Sequence, residues 1–445
     1  MDIQSVLVLF GTFALLMVLG VPIAFSIGLA ALATFLLFMS FDQSVYIVAQ
    51  QVASGLDSFT LLAIPFFILA GNIMNRGGIA LRLIEFAKVL GGRLPGALAH
   101  CNVIANMMFG SISGSAVASA AAVGGVMAPL QRKEGYDPAY SAAVNIASCP
   151  TGLLIPPSAT FIVYSLITNG TSVAALFVAG YIPGILMGLC LMLVAGIIAK
   201  KRGYPIAPRP AGKEVVEKAL GAVLPLGLIV IVMGGIYGGI FTPTEAAGIG
   251  AGGATLIALV RGSLNLSVIF EVLTDTARTT ASLFFILFGA LIFSNFVNRA
   301  GLPDALISFV TSFDFSAWGV MLLILLIYIV LGCVFESLSM LLLTVPVFFP
   351  LIQSLDFGMS PEEVLIWFGI VVVVVTEISL ITPPVGLNIF VLNGVLPDVK
   401  TSTIFKGVTP FWVADIVRLL LLVFVSGLSL WMPFTVMPWL NSLFS

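Results

Sequence analysis

Residues 148–158 read Ser-Cys-Pro-Thr-Gly-Leu-Leu-Ile-Pro-Pro-Ser, inside an apolar run from Ala139 to Ala179 that is long enough to cross a membrane. Pro150, Pro156 and Pro157 each lack an N–H donor, and each biases the residue before it away from helical angles. A continuous helix through this stretch is therefore not expected. In hydrocarbon, backbone groups freed by such a break need another partner, so breaks persist only against protein or a watery cavity. A break of the same kind recurs in the second half as Thr376-Glu-Ile-Ser-Leu-Ile-Thr-Pro-Pro-Val-Gly386. Two interrupted helices at corresponding places in two halves point to a transporter binding site.

The chain around these breaks has 445 residues, 60% hydrophobic and 9% charged, with a mean hydropathy of +1.18. Runs of about 17–25 apolar residues recur from end to end, the length a bilayer requires. This composition excludes a soluble domain and predicts an all-α polytopic membrane protein. The net charge of −2 offers nothing to a nucleic acid. Met1-Asp2 supplies no basic segment ahead of the first apolar run, so that helix is expected to be a retained anchor rather than a cleaved signal. Cys101, Cys149, Cys190 and Cys333 lie far apart with no C-x-x-C spacing, and His100 is the single histidine. Metal-thiolate and redox chemistry therefore have no basis here.

In chain order, spans are expected at 5–20 and 22–39, pivoting at Gly20-Val21-Pro22, and at 58–75. Residues 79–92 turn amphipathic, with Arg82, Glu85 and Lys88 on the polar side, as in a helix lying along the membrane surface. Residues 94–131 have basic ends at Arg93 and Arg132-Lys133 and a small polar midpoint, Ser111-Ile-Ser-Gly-Ser115. That pattern predicts a re-entrant hairpin. The broken helix 137–169 and a span from about Val173 to Ala199 complete a first repeat over 1–199. A polar cytoplasmic linker, 200–218, opens with Lys200-Lys201-Arg202. The second repeat, 219–445, is expected to hold spans at 220–239, 245–260 and 280–298 and a surface helix at 302–313. A hairpin at 316–350, a broken helix at 361–396 and a last span at 408–432 follow.

The repeat is visible in single residues. Asn72-Ile-Met-Asn-Arg-Gly-Gly-Ile79 matches Asn295-Phe-Val-Asn-Arg-Ala-Gly-Leu302, and Pro22 matches Pro243. Pro156-Pro157 matches Pro383-Pro384, and Met127-Ala-Pro-Leu130 matches Phe348-Phe-Pro-Leu351, all at offsets of 221 to 227 residues. An odd number of crossings per repeat inverts the second half relative to the first. With the N-terminus outside, Arg76, Arg82, Lys88, Arg93, Arg132, Lys133, the linker, Arg261, Arg278, Lys400 and Lys406 all fall on the cytoplasmic side. Arg299 alone falls clearly outside, as the positive-inside rule allows.

Two matching sites emerge from the hydroxyls of the tips and the carbonyls freed at the breaks. Oxygen ligands without histidine or thiolate suit a hard monovalent cation such as Na⁺. Ser113 and Ser115, with carbonyls around Pro150 and Gly152, are the first candidate set. Gly332 and Ser337, with carbonyls from Ile381 to Gly386, are the second. Half-helix N-termini at both tips favour an anionic substrate, for which the candidates are Ser111, Gly114, Thr151, Pro156, Glu336, Ser339, Thr382, Pro383 and Asn388. Glu336 and Glu377 are ionisable groups at membrane depth, where such groups are costly. Asp415 and Arg418, three residues apart, read as a local ion pair, and Glu245 as a helix cap. The Asn72/Asn75/Arg76 motif and its echo read as structural corners, and Ala116–Gly125 as a small-residue packing surface.

The Ser-Gly-Ser tip, Ile155-Pro-Pro-Ser158, Phe241-Thr-Pro-Thr-Glu-Ala246 and Ile381-Thr-Pro-Pro-Val-Gly386, in this order, resemble the large membrane subunit of TRAP transporters over essentially the whole chain. The resemblance implies an elevator-type member of the ion transporter superfamily in a bacterial inner membrane. It also implies Na⁺-driven uptake of a C4-dicarboxylate or a sialic acid, with a lean to the sialic-acid branch. Two partners follow: a small four-helix membrane subunit, expected as a separate chain, and a periplasmic substrate-binding protein.

Two other readings compete. An autonomous divalent-anion/Na⁺ symporter shares the hairpin-and-break plan, but neither tip shows the Ser-Asn-Thr motif of such carriers. An intramembrane serine protease would need Gly-x-Ser-Gly, which Ser111-Ile-Ser-Gly114 misses by one residue, and His100 precedes the serine instead of following it.

Overall fold

A computed structural model describes residues 3–438, apart from Arg93, Asn169, 207–210, Val385 and Pro397. Arg93 and the middle of the linker, both used in the sequence argument, therefore lie outside the described residues. Every regular element among the described residues is a helix. Seven helices are long and apolar enough to cross a membrane, or eight when Pro138–Leu154 and Ala159–Ile167, bent by 50°, count as one crossing.

Helix ends follow local chemistry. Ile3–Val18 and Ile23–Phe38 flank Gly20, whose φ of 79° lies in the left-handed region that favours glycine. Pro243–Val260 and Pro361–Ser379 each begin with proline in the first turn behind a reciprocal cap, Thr242 with Glu245 and Ser360 with Glu363. The capping role read for Glu245 is thus present. Three elements differ from expectation. Between the expected spans 22–39 and 58–75, where no element is expected, an amphipathic helix forms, Phe41–Leu56, opened by a Ser40/Gln43 capping box. The crossing expected at 280–298 is a 34-residue helix, Leu266–Arg299, because its early polar residues find a distant partner. Arg76 pairs with Glu271 at 2.6 Å and with Asp275 at 2.8 Å. The last crossing starts earlier than expected, as Thr401–Phe424, with Gly427–Trp431 after a break.

Two groups of helices result. A frame is formed by 3–18, 23–38, 41–56, 59–76, 212–237, 243–260 and 266–299, packed on one another. Gly28 and Gly289 let two frame helices touch through their backbones, since a Cβ on Gly289 would run into the Ala24 carbonyl. Against this frame lies a second group: hairpin helices Ala97–Ser113 with Ala116–Lys133 and Ala317–Leu331 with Ser337–Ser354, the two broken crossings, Val173–Arg202 and Thr401–Phe424. At its centre is Pro361–Ser379, buried on all sides from Ile366 to Ser379, as a helix apolar all round must be. Two short amphipathic arms lie where the sequence places them. Ile79–Gly91 packs on the first hairpin and on Gly212–Tyr237, and Leu302–Ser312 packs on the second hairpin.

The second group is also tied to itself. Arg132, at the end of the first hairpin, pairs with Asp398, beyond the second break, at 2.7 Å. Its hydrogen bond holds the exposed Asp398 carboxyl below the usual carboxylate range, so this tie is present at neutral pH and is lost as acid protonates Asp398.

Candidate functional site

Each hairpin turns through a helix end that must satisfy its own backbone. At the first tip, Ala97–Ser113 stops at Gly114, which has a φ of 59°, and the Ser115 hydroxyl then accepts from the Ala118 N–H at 3.2 Å. At the second tip the cap is a carboxylate. Glu336 accepts from the Ser339 N–H at 3.2 Å and from the Ser337 hydroxyl at 3.0 Å. The N-terminus of Ser337–Ser354 thus carries a carboxyl cap from its own chain, whereas the first tip is capped by a hydroxyl.

The breaks behave as the prolines require. The first crossing runs Pro138–Ser148, one turn at Thr151–Leu154, then Ala159–Ile167, and the second runs Pro361–Ser379, then Leu387–Val395. Both Pro-Pro bonds, Pro156–Pro157 and Pro383–Pro384, are cis. Hydroxyls take up part of the freed backbone. Ser158 donates to the Leu153 carbonyl at 2.6 Å, Ser379 to Thr376 at 2.6 Å, and Thr382 to Ile378 at 2.7 Å.

Both tips and both breaks meet at one cavity of about 240 Å³. Its lining includes Ser113, Gly114 and Ser115 from the first tip and Glu336 and Ser337 from the second. Leu153 and Pro157 come from the first break, and Leu380 and Leu387 from the second. The frame contributes Asn72, Asn75 and Thr279. Neutral amides and hydroxyls with one carboxylate can bind a polar organic ion by hydrogen bonds, and the helix ends Ala159 and Leu387 have no side-chain cap.

The other predicted residues lie around this cavity without lining it. Ser111 and Thr151 are buried; Ser111 donates within its helix to the Met108 carbonyl at 2.9 Å, and Thr151 donates back across the break to the Ser148 carbonyl at 2.7 Å. Gly152 touches the backbone of Gly110, and a Cβ on either would overlap the other. At the second tip Gly332 lies against the Ser379 side chain, which a Cβ on Gly332 would overlap. Each tip is thus pressed against its own break through a glycine. Thr382 also accepts from the Trp412 indole N–H at 2.8 Å, Ser339 lies beside Glu336, and Asn388 is buried with both amide atoms unpartnered. Pro150, Pro156, Ile381, Pro383 and Gly386 form the wall of the two breaks.

Sequence reading missed the amide cluster behind the first tip. Asn106 Nδ2 lies 3.1 Å from Asn145 Oδ1 and 2.7 Å from Ser148 Oγ, and Ser119 donates to Asn106 Oδ1 at 2.7 Å. Both helices of the hairpin are thereby fastened to the broken crossing. The available signal was an amide within an apolar helix at membrane depth, which needs a partner. The same signal marks Asn72, whose amide donates to Thr276 at 2.9 Å.

Residues 10–428 match the family described as the "Tripartite ATP-independent periplasmic transporter, DctM component". The chain belongs to the DctM family. Relatives of this permease include the C4-dicarboxylate TRAP transporter large permease DctM of Pseudomonas aeruginosa, 38% identical over 92% of this chain and 93% of that one. The sialic acid TRAP transporter large permease SiaM of Vibrio cholerae is 36% identical over 96% and 97%. An uncharacterized protein of Salmonella typhimurium, YgiK, is 44% identical over 97% and 98%. The crystal structure of the Alcanivorax borkumensis YdaH transporter shares the fold at 14% identity, with a TM-score of 0.61 over 89% of this chain and 90% of that one. This permease is therefore the large membrane component of a TRAP transporter.

Proposed function

We propose that this DctM-family permease imports an organic carboxylate, a sialic acid or a C4-dicarboxylate, coupled to Na⁺. It would work with a separate small membrane subunit and a periplasmic binding protein, in a bacterial inner membrane with its N-terminus in the periplasm. The two halves are inverted repeats, and the hairpins and broken crossings move as one body against the frame. The observation that carries this reading is the single cavity at which both tips and both breaks face frame residues Asn72, Asn75 and Thr279. Interrupted helices aim carbonyls and N–H groups at such a cavity, where a small cation replaces missing donors and an anion finds helix N-termini.

Reconstituted alone with a Na⁺ gradient, the chain is expected to move neither labelled sialic acid nor labelled succinate. Adding the small subunit and loaded binding protein restores uptake of one of them. Robust uptake by the isolated chain would instead favour the autonomous symporter.

For Na⁺ the reading takes its ligands from the two tips and their breaks. Ser113 and Ser115 with carbonyls of Pro150–Gly152 form one set, and Gly332 and Ser337 with carbonyls of Ile381–Gly386 the other. Binding a cation draws each tip onto its break and readies the neighbouring helix end for a carboxylate. Ser115→Ala and Ser337→Ala should each raise the Na⁺ concentration for half-maximal uptake by about tenfold, the worth of one hydrogen-bonding ligand. Unchanged Na⁺ dependence in both variants refutes this placement.

A further inference from the structure

Two arginines converge on Gly221, near the start of Gly212–Tyr237, where the arm Ile79–Gly91 meets the frame. Arg261, just past the end of Pro243–Val260, donates from one terminal nitrogen to the Gly221 carbonyl at 3.3 Å. Arg82 of the arm lies against the same glycine, a terminal nitrogen 3.6 Å from where a Gly221 Cβ would stand. Among the described residues no ion pair includes either guanidinium, and the other terminal nitrogen of Arg261 is buried with no acceptor. The nearby acids are already committed. Glu85, one turn along the arm, is held by Lys88 and by Lys218 at 3.4 Å, and Lys218 also holds Glu214 at 2.6 Å. These four basic groups against two carboxylates leave the corner with an excess charge of +2. Burial, and then the Arg82 charge, push the Arg261 guanidinium below its ordinary range, as like charges with no anion between them must.

We infer that Arg82 and Arg261 bind the phosphate of an anionic phospholipid in the leaflet on the linker side, and that this lipid braces the arm against the frame. Guanidinium forks match phosphate oxygens and are weakly hydrated, so they can hold a phosphate while partly buried. A phosphate oxygen supplies the acceptor that the buried Arg261 nitrogen lacks and removes the repulsion between arm and frame. The surroundings favour a lipid over a free anion. Leu81 on the arm, Leu220 and Leu224 around Gly221, and Val260 beside Arg261 are all exposed and apolar. Apart from Leu81 they stand on helices fit to cross a membrane, so acyl chains can run along them while the head stays at the arginines. A zwitterionic head brings its own cation and leaves the excess charge in place. The inference depends neither on the cargo nor on the coupling ion.

The test titrates the full chain, purified in detergent, with phosphatidylglycerol and separately with phosphatidylcholine of the same acyl chains, counting bound lipid by native mass spectrometry. Phosphatidylglycerol should bind about tenfold more tightly, the worth of one hydrogen bond between charged partners. Arg82→Gln and Arg261→Gln should each abolish that preference, while Arg278→Gln, an exposed arginine on Leu266–Arg299, should keep it. Phosphatidylglycerol should likewise raise the unfolding temperature of the parent and of Arg278→Gln, but not of the other two variants. Where Arg261→Gln yields too little protein, Arg82→Gln decides, because its side chain is exposed and makes no bond to the fold. An excess of inorganic phosphate should leave the bound lipid in place. No preference in the parent, or a preference kept by Arg82→Gln, overturns the site. Displacement of the lipid by inorganic phosphate overturns the lipid as its occupant and makes it a site for a free anion.

Discussion

Joining Phe13→Cys to Phe335→Cys, in the Cys333→Ser background, is expected to reduce uptake to background, and cleaving the link to restore it. Phe13 sits on the frame helix Ile3–Val18 and Phe335 at the second tip, with ring centroids 5.8 Å apart. A body that carries the tips past the frame must break this contact in every cycle, so fixing it halts the cycle, however little it perturbs the structure shown. Phe25 and Phe285 provide the matched control. Both are exposed frame residues with rings 5.7 Å apart, and linking their positions should leave uptake intact. Transport by the Phe13–Phe335 linked protein, or its loss in the control alone, would remove the moving-body mechanism.

Arg418→Leu should produce the largest loss of stability. Arg418 and Asp415 are fully buried and joined at 3.2 Å, and both Arg418 terminal nitrogens lack partners, as do both carboxyl oxygens of the buried Glu377. Removing the cation leaves two acids in the core with no positive charge beside them. Breaking a buried pair in this one-sided way costs about 3–5 kcal/mol, whereas exchanging both partners for apolar side chains is often neutral. Thermal unfolding of the detergent-purified transporter should therefore show a much earlier transition for Arg418→Leu. Arg418→Leu with Asp415→Leu should recover most of the difference. Equal stability of the single variant and the parent would mean that the pair does not hold the core together.

The parts of the fold that could be read in the chain are those whose causes are local. Proline removes a donor and distorts its neighbour wherever it stands, so 148–158 and 376–386 are legible as breaks in isolation. Thr242-Pro-Thr-Glu245 carries its own cap, and Asp415 and Arg418 are one helical turn apart. What could not be read depends on partners far along the chain. The early part of Leu266–Arg299 looks too polar to extend a crossing until Arg76 is placed beside Glu271 and Asp275. The cluster at Asn106 draws on both hairpin helices and the broken crossing, which no spacing rule brings together. At the site, the serines of the tips were legible as polar groups at depth. The capping carboxyl of Glu336 is local too, bonded to Ser337 and Ser339, but nothing in the spacing marks where the helix starts; the frame amides that complete the cavity required the tips to be docked.

The glycine contact between Gly110 and Gly152 has a consequence for how such a chain diversifies. It is made of main chain alone, so no substitution can retune it by degrees, and any side chain added there pushes the tip off its break. Selection for a new cargo must act elsewhere, on positions whose side chains reach the cavity but carry no such contact, such as Asn72, Thr279, Leu283 and Leu338. A mutant library confined to those four positions should yield altered specificity at a far higher frequency than one spread over the tip–break seam, where almost every change is lethal to the machine.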